Sequence, residues 1–494
     1  MGWEVMGATS WALIGFWWRQ PRRVQGANTA FLTTRAADLG LYLAAGAALA
    51  GGVGSLRLDA LPHAARPWLS VLTAGVVAAA LGKSAQLPLS FWLSRAMEGP
   101  SPVSALLHAA TMVAAGAYLL LRLHPLLAAS GWAGPVVAWV GAATALLLGL
   151  VAVAQTDIKQ LLAASTCAQI GFMVLAAGVG AVAGGTGQLV AHAATKALLF
   201  LAAGVWLTAL GTTALTGLLG AARHNRLVGV TFAVGILSLA GLPPLSLWAT
   251  KDEVLAVVFD QHRGLYGVGF AAAVLATVYS VKAAWYVLRP VPAGAGAGRS
   301  EPFRSWPVSL VAGAPLVLLA VAAAVLGVLA LPGPSHLLRQ SIGGLGEPAP
   351  RGWQLAASAA AALAAAALTW QWGGARVRLP VAVTGWLTRW LDLERAAHLL
   401  VVHPTLALAR ALAAFDDRII DGAVRQATRG GLRLARTAGR LDDTGVDGSV
   451  AAIAAGARRL GRLARRPQTG LLHQYYAQLV LAFAALALFL LLVG

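Results

Sequence analysis

The residues most able to do chemistry here are five lysines. Lys83, Lys159, Lys196, Lys251 and Lys282 are all the chain has, which leaves 32 of its 37 basic residues as arginine. Four lie within or at the ends of apolar segments, and Lys159 follows a short polar start to one. Arginine cannot release its proton in a protein, whereas a buried lysine can be tuned to do so. Biased codon usage would explain the scarcity of lysine but not its placement, because an intramembrane lysine is costly and functional by default. Other polar groups share the apolar segments: Glu4; Arg35 and Asp38, three apart on one helix face; His108; Asp157; Gln169; and Lys251-Asp252-Glu253. Gln188, His192 and Lys196 follow at spacings of four, a polar stripe down an otherwise apolar helix. Taken alone, His108 reads as a hydrogen-bonded core histidine and Gln169 as glue between helices. Taken together, titratable groups on successive segments read as a proton relay. No metal-ligand spacing, nucleophile elbow or phosphate loop accompanies them.

The elements that must carry these groups are membrane helices. Of the 494 residues 58% are hydrophobic and 11% charged, with mean hydropathy +0.72, whereas a soluble protein carries about 25% charged residues. Twelve crossing segments are expected, near residues 3–18, 28–52, 69–93, 102–123, 133–154, 159–182, 187–210, 228–249, 264–288, 307–331, 353–372 and 475–493. The net charge of +19 invites a nucleic-acid reading. Its excess, however, sits in loops and one C-terminal stretch between spans, the pattern of a membrane protein with a basic cytoplasmic side. One cysteine, Cys167, excludes an internal disulfide framework and a multi-cysteine metal or iron–sulfur site in this chain. Two spans share an interruption: Pro88-Leu89-Ser90-Phe91-Trp92 resembles Pro244-Leu245-Ser246-Leu247-Trp248, with Lys83 and Lys251 nearby. Each proline must break its helix, and paired broken helices mark transporters built from inverted repeats.

Residues 374–470 differ from the rest, being rich in Arg, Ala, Leu and Asp, with no span-length apolar run expected. Asp421-Gly422-Ala423-Val424 recurs as Asp447-Gly448-Ser449-Val450, and Arg429, Arg433, Arg436 and Arg440 share a helix face. This predicts an amphipathic helix lying along a membrane or partner helices, tethered by a last apolar span. Four regions follow: a core over 1–290, additional spans over 291–373, the lateral segment 374–470 and an anchor over 471–494. The expected fold is all-α, a polytopic membrane bundle of about twelve transmembrane helices, with two broken helices and a lateral amphipathic helix.

At these residues the sequence resembles a known family. Lys83-Ser84-Ala85-Gln86-Leu87-Pro88-Leu89, Met97-Glu98-Gly99-Pro100-Ser101-Pro102-Val103-Ser104-Ala105-Leu106-Leu107-His108, Gln155-Thr156-Asp157-Ile158-Lys159, His192-Ala193-Ala194-Thr195-Lys196 and Lys251-Asp252-Glu253 are similar to the antiporter-like L subunit of bacterial NADH:quinone oxidoreductase, respiratory complex I. Phe415-Asp416-Asp417 and Gln468-Thr469-Gly470 look like that subunit's C-terminal extension. The resemblance implies a proton-translocating subunit of the bacterial inner membrane, its lateral segment cytoplasmic and lying along other membrane subunits. No redox centre is expected in this chain; NAD, FMN, iron–sulfur clusters and quinone belong to partner subunits, and no nucleic acid is expected.

By the same resemblance, Glu4 and Lys83 form a carboxylate–lysine pair. Arg35 and Asp38 are a charged pair on the next helix, while Lys159, His108, His192 and Lys196 form a central relay. Lys251 ends the second broken helix near the exit. A lysine beside a carboxylate holds its proton, and desolvation without the carboxylate favours release. The sequence departs from the family in three ways. Four helices that normally precede Glu4 are absent, which predicts a fragment or a partner covering Glu4. Gln188 stands where a histidine is frequent, and Arg95 where an aspartate usually follows the first break. Related readings share the fold: a multisubunit cation/proton antiporter, a membrane-bound hydrogenase, a bicarbonate-accumulating complex or an inactive paralogue. A lipid-acting membrane enzyme would need its groups clustered at one membrane face.

Overall fold

A computed structural model describes residues 1–290, 309–344, 346–373 and 380–493. The expected region boundaries at 290/291 and 373/374 abut residues outside this set. Two compact units are present, Met1–Ala397 and His398–Gly494, so residues 380–397 pack with the first unit. Among the described residues the only pairing of extended backbone is an isolated bridge between Asp157 and Ala214.

The principal helices of the first unit are α1 (Gly2–Ile14), α2 (Pro21–Ala50), α3 (Trp68–Lys83), α4 (Phe91–Ala96), α5 (Ser101–Arg122), α6 (Ala133–Ala154), α7 (Ile158–Val179), α8 (Val182–Leu210), α9 (Arg226–Ala240), α10 (Ser246–Gln261), α11 (Arg263–Leu288), α12 (Leu310–Val325), α13 (Pro332–Ile342), α14 (Gly352–Gln371) and α15 (Val381–Thr388). Among the described residues nine helices are long and apolar enough to cross a membrane, and eight fall on expected spans. The ninth is a window within Trp390–Arg465, where no such run was expected; Leu, Val and Ala crowd residues 396–415, where Arg410 is the one arginine. Helix α1, at 13 residues, reaches only about 20 Å against a hydrocarbon thickness of about 30 Å.

Both repeated proline strings fall where a helix is interrupted. The first span divides into α3 and α4, with Ser84–Ser90 between; the second divides into α9 and α10, with Gly241–Leu245 between. Carbonyls freed at the breaks find side chains, as backbone at membrane depth must. The Trp92 indole donates to Gly82 O (2.9 Å) and the Thr277 hydroxyl to Ala240 O (2.7 Å). One expectation needs correcting. The second broken helix does not end at Lys251: α10 runs on to Gln261, because the apolar stretch after Glu253 continues the buried face.

Small residues set the helix spacing. A Cβ on Gly82 would lie 2.1 Å from Ala37 Cβ, so α2 and α3 touch beside Asp38 and Lys83, the next residue on each helix. Gly141 and Gly171 bring α6 and α7 together in the same way.

In the second unit, α16 (His403–Phe415), α17 (Asp421–Leu441) and α18 (Asp447–Arg465) are joined by widened π-helical turns at Asp416–Ile420 and Asp442–Val446; α19 (Leu472–Val493) follows. The two turns carry Asp416-Asp417 and Asp442-Asp443 and immediately precede the repeated Asp-Gly strings. The repeat read in the sequence is thus a repeat of backbone geometry.

Candidate proton-relay site

Lys83 ends α3 with its side chain fully buried, and its Nζ donates to Asp38 Oδ2 of α2 at 2.8 Å. Asp38 Oδ1 accepts from the Trp3 indole at 2.6 Å, and Nζ also lies 5.3 Å from the centre of that ring. Glu4 is not the partner of Lys83. It pairs with Arg35 and accepts from the Tyr42 hydroxyl (3.1 Å), with 35% of its side chain exposed. The pairing implied by the resemblance is therefore exchanged: Lys83 with Asp38, Glu4 with Arg35. The close Gly82–Ala37 approach brings Asp38 to Lys83, and α1 presents Gly7 rather than Glu4 to Nζ.

Four turns or more into its helix, Lys196 of α8 is also fully buried; it donates to Leu162 O (3.0 Å) and to the Ser165 hydroxyl, both on α7. His192 lies one turn before it, fully buried, with neither ring nitrogen hydrogen-bonded among the described residues. One turn further, the Gln188 amide is engaged at both ends. Its nitrogen donates to Gln169 Oε1 (2.9 Å) and its oxygen accepts from the Thr250 hydroxyl (2.6 Å). Gln169 in turn donates to the Tyr279 hydroxyl (2.8 Å). This chain of uncharged groups links α10, α8, α7 and α11. Tyr279 and Thr250 were not singled out from sequence; Thr250 precedes Lys251, and Tyr279 lies one helical turn before Lys282, the only cues available.

Lys251 is buried on α10, and its Nζ has no hydrogen-bond partner among the described residues. It packs over Gly241, whose φ of +72° ends α9; a Cβ there would stand 2.7 Å from Nζ. The Phe172 ring centre lies 6.0 Å away. Asp252 accepts from the Ser358 hydroxyl and Glu253 from Arg339 (3.2 Å).

Four predicted groups sit elsewhere. Lys159 is the second residue of α7, at a helix end rather than mid-helix, and Nζ donates to Met97 O (2.7 Å) and Gly99 O (2.8 Å) just beyond α4. Lys282 does the same at the end of α6, donating to Val153 O and Gln155 O (both 2.7 Å). Both satisfy carbonyls that a helix terminus leaves unpaired, where a cation is favoured. His108 lies in a π-helical stretch, Ser104–Thr111, and its Nε2 shares a hydrogen bond with the Ser10 hydroxyl (2.8 Å). Asp157 caps α7: Oδ1 accepts from Gln160 N (3.0 Å), and Oδ2 from the Thr213 hydroxyl. Arg95 is not left beside Lys83 as a like charge. It forms a two-pronged pair with Glu394 (2.8 and 3.0 Å). Among the described residues no three His, Cys, Asp or Glu side chains are grouped as a metal site.

Buried cationic groups on α3, α8 and α10, two of them beside helix breaks, define a polytopic membrane protein of the antiporter-like class. Residues 1–278, more than half of the chain, match the family described as "NADH:quinone oxidoreductase/Mrp antiporter, TM", and the chain belongs to that family. It is 38% identical over 377 residues to NADH-quinone oxidoreductase subunit L of Pseudomonas aeruginosa, covering 73% of this chain and 59% of that protein. It is 42% identical over 273 residues to chloroplastic NAD(P)H-quinone oxidoreductase subunit 5 of Zygnema circumcarinatum, covering 51% and 39%. The chain thus spans about half the length of the curated relatives it matches. Among solved structures, the Mrp complex from Dietzia covers all of this chain and 49% of its own, at 26% identity and TM-score 0.57. An archaeal membrane-bound sulfane sulfur reductase shares the fold at 20% identity and TM-score 0.59.

Proposed function

We propose that this chain is the L-type antiporter-like subunit of a bacterial NADH:quinone oxidoreductase in the inner membrane. It translocates protons while partner subunits hold NAD, FMN, iron–sulfur clusters and quinone. The observation that carries this reading is the set of fully buried titratable side chains on α3, α8 and α10, Lys83, His192, Lys196 and Lys251, in a chain with only five lysines. Buried ionisable groups in a membrane are retained for ion or proton movement. Their partners suit distinct tasks. Asp38 is hydrogen-bonded to Lys83, so a proton arriving or leaving there must contend with that carboxylate. Lys196 and His192, one turn apart, can pass a proton along α8. Gln188 cannot take one up, and both ends of its amide are engaged, so the step from His192 to Lys251 runs through water beside it. Lys159 and Lys282, each fixed on two carbonyls, hold helix ends together at the margins of this path.

The lateral unit would lie on the cytoplasmic side, fastening the subunit to neighbouring membrane subunits. The likeness to the Mrp complex supports a second reading, a cation/proton antiporter subunit. The two separate on one assay: proton flux and quinone reductase activity measured together in vesicles of Lys83→Ala and Lys251→Ala variants. Flux should fall in both while the subunit stays assembled. Normal flux in both removes the relay assignment, and flux that requires sodium favours the antiporter.

A further inference from the structure

The Lys251-Asp252-Glu253 run is held by residues that lie beyond the family-matched region. Asp252 is held by Ser358 of α14, and Glu253, 3% exposed, by Arg339 of α13. Arg339 is itself clamped: Nη2 donates to Glu253 Oε1 (3.2 Å) and Nη1 to Glu347 O (2.7 Å). The Glu347 carboxylate in turn accepts from Ala183 N (2.8 Å) and Gly184 N (3.4 Å), the unpaired amides at the start of α8. One network therefore joins the helix carrying His192 and Lys196 to the helix carrying Lys251. Arg339 stands in it between buried Glu253 and a helix with an exposed flank, Leu337 being 65% exposed. The space beside Lys251 is small: a cavity of about 20 Å³ lined by Gly241, Trp248, Lys251, Asp252 and Ser358. That is room for about one water. The network starts two residues beyond Lys251 on α10 and ends in the first turn of α8.

We infer that Arg339 is a positioning residue that keeps the Lys251 end of the path shut, by pinning the Glu253 carboxylate and tying it through Glu347 to the start of α8. The contact opens for proton release and closes against backflow. This rests on the proton-transport reading above. Arginine suits the task because it stays charged and offers donors on separate nitrogens, so it grips two acceptors without itself becoming a stop on the path.

The test compares Arg339→Gln, Arg339→Lys and Glu253→Gln in the assembled complex, in sealed vesicles. It reads passive proton leak without substrate and protons moved per electron during turnover. Arg339→Gln should raise the leak severalfold and lower the proton-to-electron ratio. Arg339→Lys, which keeps the charge but loses the second prong, should fall between it and wild type. Glu253→Gln should reproduce Arg339→Gln, and stands in its place if that variant fails to assemble. Assembled Arg339→Gln or Glu253→Gln with wild-type leak and ratio overturns the inference. Lys196→Ala is run alongside. If it lowers flux while the other variants behave as wild type, this inference alone fails; if it too shows wild-type flux, the proton-transport reading fails with it.

Discussion

Replacing Asp38 with asparagine separates the observed pairing from the one expected from sequence. Asp38 is 2% exposed and Lys83 fully buried, at 2.8 Å. Removing one partner of such a pair costs about 3–5 kcal/mol, because the other charge is left buried and uncompensated. If that whole penalty falls on the step through Lys83, at about 1.4 kcal/mol per tenfold, proton flux drops roughly 100-fold or more. Glu4→Gln breaks the partly exposed pair with Arg35 instead. Such pairs are worth about 0–1 kcal/mol, so flux should fall less than about fivefold. The assay is fluorescence-quench proton uptake by inverted vesicles, normalised to quinone reductase activity and to the amount of this subunit retained. An Asp38→Asn variant that pumps like wild type, beside a Glu4→Gln variant that does not, would refute the pairing argument.

Three other outcomes are expected. Arg95→Glu should repel Glu394 and loosen the complex on native gels, and the exchange Arg95→Glu with Glu394→Arg should restore it. Gly82→Ala forces apart α2 and α3 where no space exists, costing about 1–3 kcal/mol and lowering the complex's melting temperature in detergent; an unchanged melt would contradict the packing described. Gln188→Leu strands the Gln169 oxygen in the interior at about 1–3 kcal/mol and leaves the Thr250 hydroxyl only its bond to Ser246 O, so it should melt earlier than wild type, with Gln188→Glu less affected.

The sequence carried the fold's outline because the relevant signals are local. Apolar run length marked the spans, a mid-span proline marked each break, and the arginine periodicity marked the lateral helix. Asp157, which caps α7, stood out in the sequence only as a titratable group. Side-chain pairing was less accessible. That Lys83 meets Asp38 follows from Gly82 letting α3 slide against Ala37, a contact between helices that no spacing within one helix reveals. Arg95 finds its counter-charge 299 positions later. Lys159 and Lys282 stand out by composition, and the helix ends they grip become visible only when separate helices are brought together. Arg339 lies in a stretch where nothing local sets one arginine apart from another.

Whether buried Lys251 carries protons is decided by proton flux in proteoliposomes holding the purified complex, with wild-type chain or Lys251→Ala, at matched subunit content and matched quinone reduction. Fewer protons should be moved per electron in the variant. An unchanged ratio, with the variant chain confirmed in the complex, would contradict it.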